Sequence, residues 1–227
     1  MSAYPVLYEA EYVEKRSRLT TFFRGILLIP HIIVLYLIAI GLFFTVIGAW
    51  FAVVITGRYP QGLYAFNSNA LRWLSRVGAY GYLLVDKYPP FDFGDHPEYP
   101  VQLTFAGPLP KYSRLKTFFR TLIGIPVMII AYALSIVYQI CALAAWVVGV
   151  ILGRQPRGLF DGLQLGLAYQ SKASAYLLLL TETYPPFSNE NPTLEPVGAS
   201  GELESAPSAF AAPTTRTPAE RPGGLEG

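Results

Sequence analysis

The sequence predicts an all-α membrane protein made of two tandem parallel repeats. Each repeat is expected to hold a short extended N-terminal arm, a transmembrane helical hairpin and an amphipathic interfacial helix. The first reason is composition: 52% of the residues are hydrophobic and 14% are charged, whereas soluble domains have roughly 25% charged residues. The second is that two long segments, 25–56 and 121–153, contain no Asp, Glu, Lys or Arg. The third is that the helical part of the chain occurs twice.

The duplication is visible when the sequence is shifted by 96 positions. Residues 17–91 then align with residues 113–187 without a gap, and 31 of the 75 pairs are identical. Three motifs return in the same order: Ser-Arg-Leu-x-Thr-Phe-Phe-Arg, Gly-Arg-x-Pro-x-Gly-Leu and Tyr-Pro-Pro-Phe. We therefore divide the chain into a first membrane repeat at 1–98, a second at 99–187 and a tail at 188–227.

Each repeat begins with an arm that mixes β-branched and aromatic residues with polar ones. The arms cover 6–13 and 101–105, and this composition is typical of short strands. We expect the two arms to be extended and able to pair with each other.

The uncharged segments predict hairpins. As one helix, the 32 residues of the first segment would extend about 48 Å, well beyond a hydrocarbon layer about 30 Å thick. Cationic residues precede and follow each segment, and such flanks belong on the cytoplasmic side. We therefore expect two spans per segment, four in all, with a turn at Gly41 and both termini in the cytoplasm. The alternative is one long helix, and Val137 at the second turn favours it.

A second helix is expected after each hairpin. Between residues 63 and 85, apolar side chains recur at helical spacing and polar ones share the other side. That pattern is typical of a helix lying in the membrane interface. Its copy, between residues 159 and 180, is less charged and could pack deeper.

Arginines and proline-aromatic motifs provide the candidate contact residues. Arginine at a membrane surface can hold lipid phosphates, and a double proline begins a stiff extended segment that suits a partner or headgroup contact. The structural alternative for the Gly-Arg-x-Pro motif is that it ends one helix and begins the next. The candidate lipid-headgroup or partner contacts are Arg24, Arg58, Arg120, Arg154, Tyr88, Phe91, Tyr184 and Phe187.

We find no catalytic constellation, cofactor motif or metal-ligand spacing, and so expect a protein that is not an enzyme. An enzyme would need an acid–base pair such as Asp161 with Glu182. His31 is a functional candidate because it is ionisable inside an apolar segment, although Val127 replaces it in the second repeat. Residues 188–227 are rich in Pro, Ala, Gly, Ser, Thr and Glu, which predicts disorder.

The paired motifs resemble those of a bacterial membrane family catalogued as domain of unknown function 4389, over residues 4–187. The resemblance implies a bacterial plasma membrane location, with no activity or site residue to transfer. We expect a non-enzymatic scaffold or accessory subunit of a membrane complex. Its expected partners are membrane lipids and either other membrane proteins or itself, with no nucleic acid. The alternative is a small transporter or lipid-handling membrane protein.

Overall fold

The computed structural model describes residues 4–186, so Phe187 and the predicted disordered tail lie outside the described residues. In chain order the elements are β1 (Val6–Ala10), α1 (Arg18–Thr56), α2 (Gln61–Gly81), β2 (Val101–Phe105), α3 (Arg114–Phe118), α4 (Arg120–Leu152) and α5 (Arg157–Leu177). The first three belong to the first repeat, and the last four belong to the second.

The repeated motifs mark the ends of the long helices. The Ser17 hydroxyl accepts a hydrogen bond from the Thr20 N–H at the start of α1, as expected of a serine N-cap. Helix α1 ends at Gly57, where φ is +71°, and α4 ends at Gly153, where φ is +67°. Glycine adopts this left-handed conformation without a steric cost. The structural interpretation of the Gly-Arg-x-Pro motif is therefore confirmed.

Each predicted hairpin is instead one continuous helix, and the turn expected at Gly41 is wrong: α1 runs unbroken for 39 residues. Position 41 favours glycine for a packing reason, because a Cβ there would lie 3.2 Å from the Phe66 ring. Residues on one side of α1 face the protein at spacings of three or four, which a reversal would interrupt. These residues are Thr21, Arg24, Leu28, His31, Leu35, Ile38, Leu42, Thr45, Ala49 and Val53.

Helices α2 and α5 are largely buried inside the protein, and their predicted position at a membrane interface stays a prediction. In α2 the apolar stripe is buried, as Trp73 at 2% exposure shows. The polar side is buried too, because its side chains find partners inside the protein: the Thr45 hydroxyl donates to Asn67 Oδ1 at 2.6 Å. Arg76 donates to the carbonyls of Asp92 and Gly94 at 3.2 and 3.1 Å.

The two arms pair as an antiparallel ribbon, which confirms the expectation that they are strands able to pair. Val6 lies opposite Phe105 and Ala10 lies opposite Val101, which puts Tyr8 opposite Leu103 at the centre. Because the arms begin the two repeats, this register relates the repeats by a two-fold rotation.

The same pseudo-two-fold relation holds elsewhere in the molecule. The hydroxyl oxygens of Ser75 and Ser171 lie 3.2 Å apart, and these residues are counterparts at the 96-residue spacing. The axis therefore passes between them as well as through the ribbon. The predicted parallel arrangement of the repeats stays a prediction, because a two-fold axis along the membrane normal gives parallel repeats and one in the membrane plane gives inverted repeats.

The segment before each long helix is bound to the glycine that ends the other. The Arg16 N–H donates to the Gly153 carbonyl at 2.9 Å, and the Tyr112 N–H donates to the Gly57 carbonyl at 2.9 Å. Since Arg16 and Tyr112 are counterparts, as are Gly57 and Gly153, the two repeats exchange the same bond. Backbone groups that a helix end leaves unpaired are thus satisfied by the other repeat.

As a result, α1 and α4 run antiparallel, with the start of each beside the end of the other. A Cβ built on Gly149 would lie 3.2 Å from the Thr21 side chain, and the Trp50 indole N–H donates to the Thr117 carbonyl at 3.0 Å.

Candidate lipid- and partner-contact sites

The long helices have the opposite polarity to surface helices of soluble proteins. The side that faces the protein contains Thr21, Arg24 and His31, whereas the outward sides are apolar. Both helices are long and apolar enough to cross a membrane. We call their outward side chains the apolar face; its exposed members include Phe22, Ile26, Ile33, Tyr36, Leu37, Phe43, Phe44, Ile55, Leu122, Ile129, Tyr132, Ile140, Leu143 and Ile151.

Arg24 is buried inside the first repeat rather than exposed as a headgroup contact. Its guanidinium lies 4.5 Å from the centre of the Tyr80 ring. It donates to the carbonyls of Tyr80 at 2.7 Å and Val85 at 2.9 Å. It also bonds the Asp86 carboxylate, so this arginine holds together the turn that follows α2.

The turn around Arg24 has a left-handed backbone at a non-glycine residue. Leu83 has a φ of 64°, and its counterpart Leu179 has a φ of 63°. Both leucines are buried, so burial of the side chain offsets a conformation that is unfavourable for leucine. The two repeats therefore use the same strained turn to close around an arginine.

Asp86 joins a second buried arginine to the first. Arg16 lies 3.4 Å from the Asp86 carboxylate, donates to the Leu84 carbonyl at 2.8 Å and bonds the Gln155 side-chain oxygen. Burial lowers the pKa of Arg16, and Asp86 opposes that effect. Two cations thus share one carboxylate, and the first repeat's arginine site is closed by internal partners.

Arg120, the counterpart of Arg24, has fewer partners. It lies 4.0 Å from the centre of the Tyr176 ring, and its Nη2 donates to the Thr181 carbonyl at 2.9 Å. Glu182 accepts from the Ser113 N–H at 2.6 Å, as its counterpart Asp86 accepts from the Ser17 N–H at 3.2 Å. Among the described residues, Glu182 does not add the ion pair to Arg120 that Asp86 makes with Arg24. Within residues 4–186, the buried Nε and Nη1 of Arg120 have no hydrogen-bond partner.

A cavity of about 310 Å³ lies beside Arg120. Its walls come from α1, α4 and the end of α5, and they are apolar apart from Arg120 and Thr121. The lining residues are Val46, Ile47, Trp50, Arg120, Thr121, Met128, Leu177 and Leu179. An unsatisfied cation therefore meets an apolar cavity next to the apolar face.

Arg58 and Arg154 are exposed, as a surface contact requires. Arg58 follows the glycine that ends α1, and its N–H donates to the Thr56 hydroxyl at 3.1 Å. Arg154 forms an antiparallel backbone bridge with Lys15. Both arginines stand at junctions where one repeat meets the other.

The first Tyr-Pro-Pro-Phe motif covers His31. The Phe91 ring stacks on the imidazole with a centroid distance of 3.8 Å and an interplanar angle of 5°. The Tyr88 hydroxyl donates to the Leu27 carbonyl at 3.1 Å, and the Trp73 indole N–H donates to the Pro90 carbonyl at 2.7 Å. The motif is thus an internal cap over α1, although Tyr88 and Phe91 keep exposed edges.

In the second repeat, Tyr184 is exposed and its ring centre lies 5.8 Å from that of Tyr176. Asp161 and Glu182 have different partners: Asp161 pairs with Arg157 at 3.7 Å, and Glu182 binds the Ser113 N–H. In the described part of the chain, no group of three or more His, Cys, Asp or Glu residues could hold a metal ion.

The linker between the repeats holds a histidine between two carboxylates. His96 Nε2 lies 2.7 Å from Asp92 Oδ1, and its Nδ1 lies 3.0 Å from Glu98 Oε1. The hydrogen bonds to Asp92 and then Glu98 raise the pKa of His96, and nearby Arg76 opposes them.

Several important residues were not selected from the sequence. Arg16 looked like an ordinary cationic flank, yet it is buried between the repeats. Ser75 and Ser171 could have been found, because identical serines at the 96-residue spacing on mostly apolar helices suggest a shared contact. The cavity beside Arg120 had no sequence signal.

These features define a class: a helical protein of two repeats related by a pseudo-two-fold axis, with two long helices that expose apolar surface. The family model described as "Domain of unknown function (DUF4389)" matches residues 18–92 and 114–189. The chain therefore belongs to this family and contains two tandem copies of its domain, as the motifs predicted. Neither the curated proteins nor the solved structures include a match to the chain.

Proposed function

We propose that this chain is a non-enzymatic membrane scaffold or accessory subunit, located at the bacterial plasma membrane with its apolar face in lipid. The apolar face is the observation that carries the proposal. Side chains such as Phe44 and Tyr132 are 66% and 71% exposed. An apolar surface that continues along two long helices marks a membrane or protein contact rather than a surface in water.

The proposed location is the cytoplasmic leaflet, with α1 and α4 lying along the membrane. At 1.5 Å per residue, the 39 residues of α1 extend about 58 Å, nearly twice the hydrocarbon thickness of roughly 30 Å. If the antiparallel helices stood upright, the pseudo-two-fold axis would put the ribbon at mid-depth. Ribbon edges carry unpaired backbone groups that lipid cannot satisfy.

The cations support the same orientation. Arg18 and Arg154 lie at one end of the helix pair, and Arg58 and Arg114 lie at the other. Upright helices would put one group outside, against the preference of cationic flanks for the cytoplasm. Helices lying in the cytoplasmic leaflet bring both groups near anionic headgroups and keep both termini in the cytoplasm.

Tryptophan fluorescence tests the lipid contact. Single-tryptophan variants that retain Trp146 or Trp73 are reconstituted in vesicles containing brominated lipids, which quench fluorescence on contact. Trp146 is 38% exposed and lies on α4, whereas Trp73 is 2% exposed, so we expect strong quenching of Trp146 and weak quenching of Trp73. Equal, weak quenching of both would refute the lipid contact.

Cysteine labelling tests the orientation. In a Cys141→Ala background, single cysteines replace Arg58 or Arg154, and intact spheroplasts are treated with a membrane-impermeant maleimide. We expect neither cysteine to react until the membrane is opened. Labelling of one of them from outside would show that the helices cross the membrane.

Native purification in mild detergent tests the scaffold role. We expect a particle heavier than one chain, with either a second copy or another membrane protein. A single chain alone in its detergent shell would count against the role. The second candidate, a lipid-handling protein, is favoured by the cavity beside Arg120.

A further inference from the structure

We infer that the cavity beside Arg120 is a binding site for a single-chain anionic amphiphile, with a fatty-acid carboxylate held by Arg120. Arg120 is 4% exposed, and its Nε and Nη1 have no partner among the described residues. A buried cation without an anion is costly. Arg120 lines the cavity and forms no ion pair in the described part of the chain, so an anion entering the cavity would supply one.

The rest of the cavity suits an acyl chain. Val46, Ile47 and Met128 supply walls without polar groups, and Leu177 and Leu179 close the side toward α5. The volume of about 310 Å³ is at the small end of the range for ligand pockets, roughly 300 to 1,000 Å³. It suits one chain better than the two chains of a phospholipid, and the single cation matches a single negative charge.

Comparison of the repeats indicates that this site is particular to the second one. At the counterpart site, Arg24 is already bonded to the Asp86 carboxylate. Glu182 and Asp86 both accept from a serine N–H, but in the described residues Glu182 forms no ion pair with Arg120. Thr121, whose hydroxyl could add a donor, has Gly25 as its counterpart. The ligand's carboxylate would therefore bind Arg120 in the second repeat as the Asp86 carboxylate binds Arg24 in the first.

The proposed function enters only as the source of the ligand, so binding is tested away from any membrane. The purified full chain in a neutral detergent is titrated with oleate, and bound oleate is counted by native mass spectrometry. We expect one saturable oleate per chain. Oleyl alcohol, which has the same chain without the charge, should bind at least tenfold more weakly. An absence of saturable binding would overturn the site, even if the chain proves to be membrane-bound.

Matched variants locate the site. Met128→Trp fills the cavity and leaves Arg120 in place, so we expect at least a tenfold loss of oleate affinity. Ile32→Trp changes the counterpart position in the first repeat, 57% exposed, and should leave affinity unchanged. Arg120→Met should also remove binding. Equal loss in both tryptophan variants, or full binding by Met128→Trp, would contradict the location.

Ligand class is settled by competition. We expect excess phosphatidylglycerol to leave the bound oleate in place, because two chains do not fit the cavity. Displacement at equal concentration would show that the site takes phospholipid phosphate and that the fatty-acid assignment is wrong.

Discussion

Gly166 is the position where the packing of the second repeat is most sharply determined. A Cβ built there lies 2.6 Å from Cδ1, 2.7 Å from Cβ and 3.0 Å from Cγ of Tyr138. Two of these atoms are close to the backbone of α4, so the tyrosine cannot rotate away. Gly166→Ala must therefore push α4 and α5 apart.

The expected cost follows from two opposing effects. Overpacking a tight contact costs about 1 to 3 kcal/mol, whereas alanine in place of glycine stabilises a helix by up to about 1 kcal/mol. We expect Gly166→Ala to lower the free energy of unfolding by about 1 to 2 kcal/mol. For a chain of this size, that lowers the melting temperature by about 2 to 8 °C, measurable by thermal unfolding in mild detergent.

The chain offers a matched control and a rescue. Gly78 lies in α2 with no atom within 4 Å of a built Cβ, so Gly78→Ala should stabilise by about 0.5 to 1 kcal/mol. In the first repeat the counterparts of Gly166 and Tyr138 are Ala70 and Leu42, which pack in one apolar cluster. Tyr138→Leu should therefore relieve Gly166→Ala in the double variant. Equal melting temperatures for Gly166→Ala and Gly78→Ala, or no coupling with Tyr138→Leu, would refute the packing argument.

Three further outcomes follow from the geometry. Gly153→Ala should lower the free energy of unfolding by at least about 1 kcal/mol, because a left-handed alanine is strained and its Cβ would lie 3.0 Å from Arg18 Nε. Chemical denaturation measures this loss, and Gly158→Ala is the control because a Cβ there meets open space. Arg24→Met should destabilise by about 1 to 3 kcal/mol, because the carbonyls of Tyr80 and Val85 lose their donor while Asp86 keeps Arg16. Melting curves showing no change would contradict that role. The pKa of His96 is raised in the folded chain, so its charge stabilises the linker below pH 6.5, the ordinary pKa of histidine, and this contribution is lost as pH rises through the folded pKa. The melting temperature of the wild-type chain should therefore fall relative to that of H96Q across this range. Parallel pH profiles of the two melting temperatures would contradict the argument.

The sequence predicted the repeats, the arms and the ends of the helices, because those features depend on glycine, serine and identity at a fixed spacing. It did not distinguish a hairpin from one helix. The half-buried Leu28 and Leu35 are chemically the same as the exposed Leu27 and Leu37. A helical period of hydrophobic residues cannot be detected when the outward side of the helix is also apolar. The sequence therefore did not identify the face of α1 that packs against α2.

The four candidate arginines differ in exposure, and their contact with lipid or a partner stays a prediction. Arg58 and Arg154 are exposed as expected, but Arg24 and Arg120 are buried. Both arginines begin an apolar segment, and an arginine in that position can reach either outward or inward. The two sites differ in whether the carboxylate that accepts from the serine N–H also pairs with the arginine, and the exchange of Asp for Glu does not determine that from the sequence.

The exchange of bonds between Gly57 and Tyr112, and between Gly153 and Arg16, has a consequence for the history of the chain. These are the contacts that two identical subunits make across an isologous interface. A polypeptide with one repeat would leave its helix-ending carbonyl and its arm unpaired, and a second copy would satisfy both. The two-repeat chain is in this respect a homodimer fused by gene duplication. Within residues 4–186 the two arginine sites are no longer identical, because Asp86 bonds Arg24 whereas Glu182 forms no ion pair with Arg120.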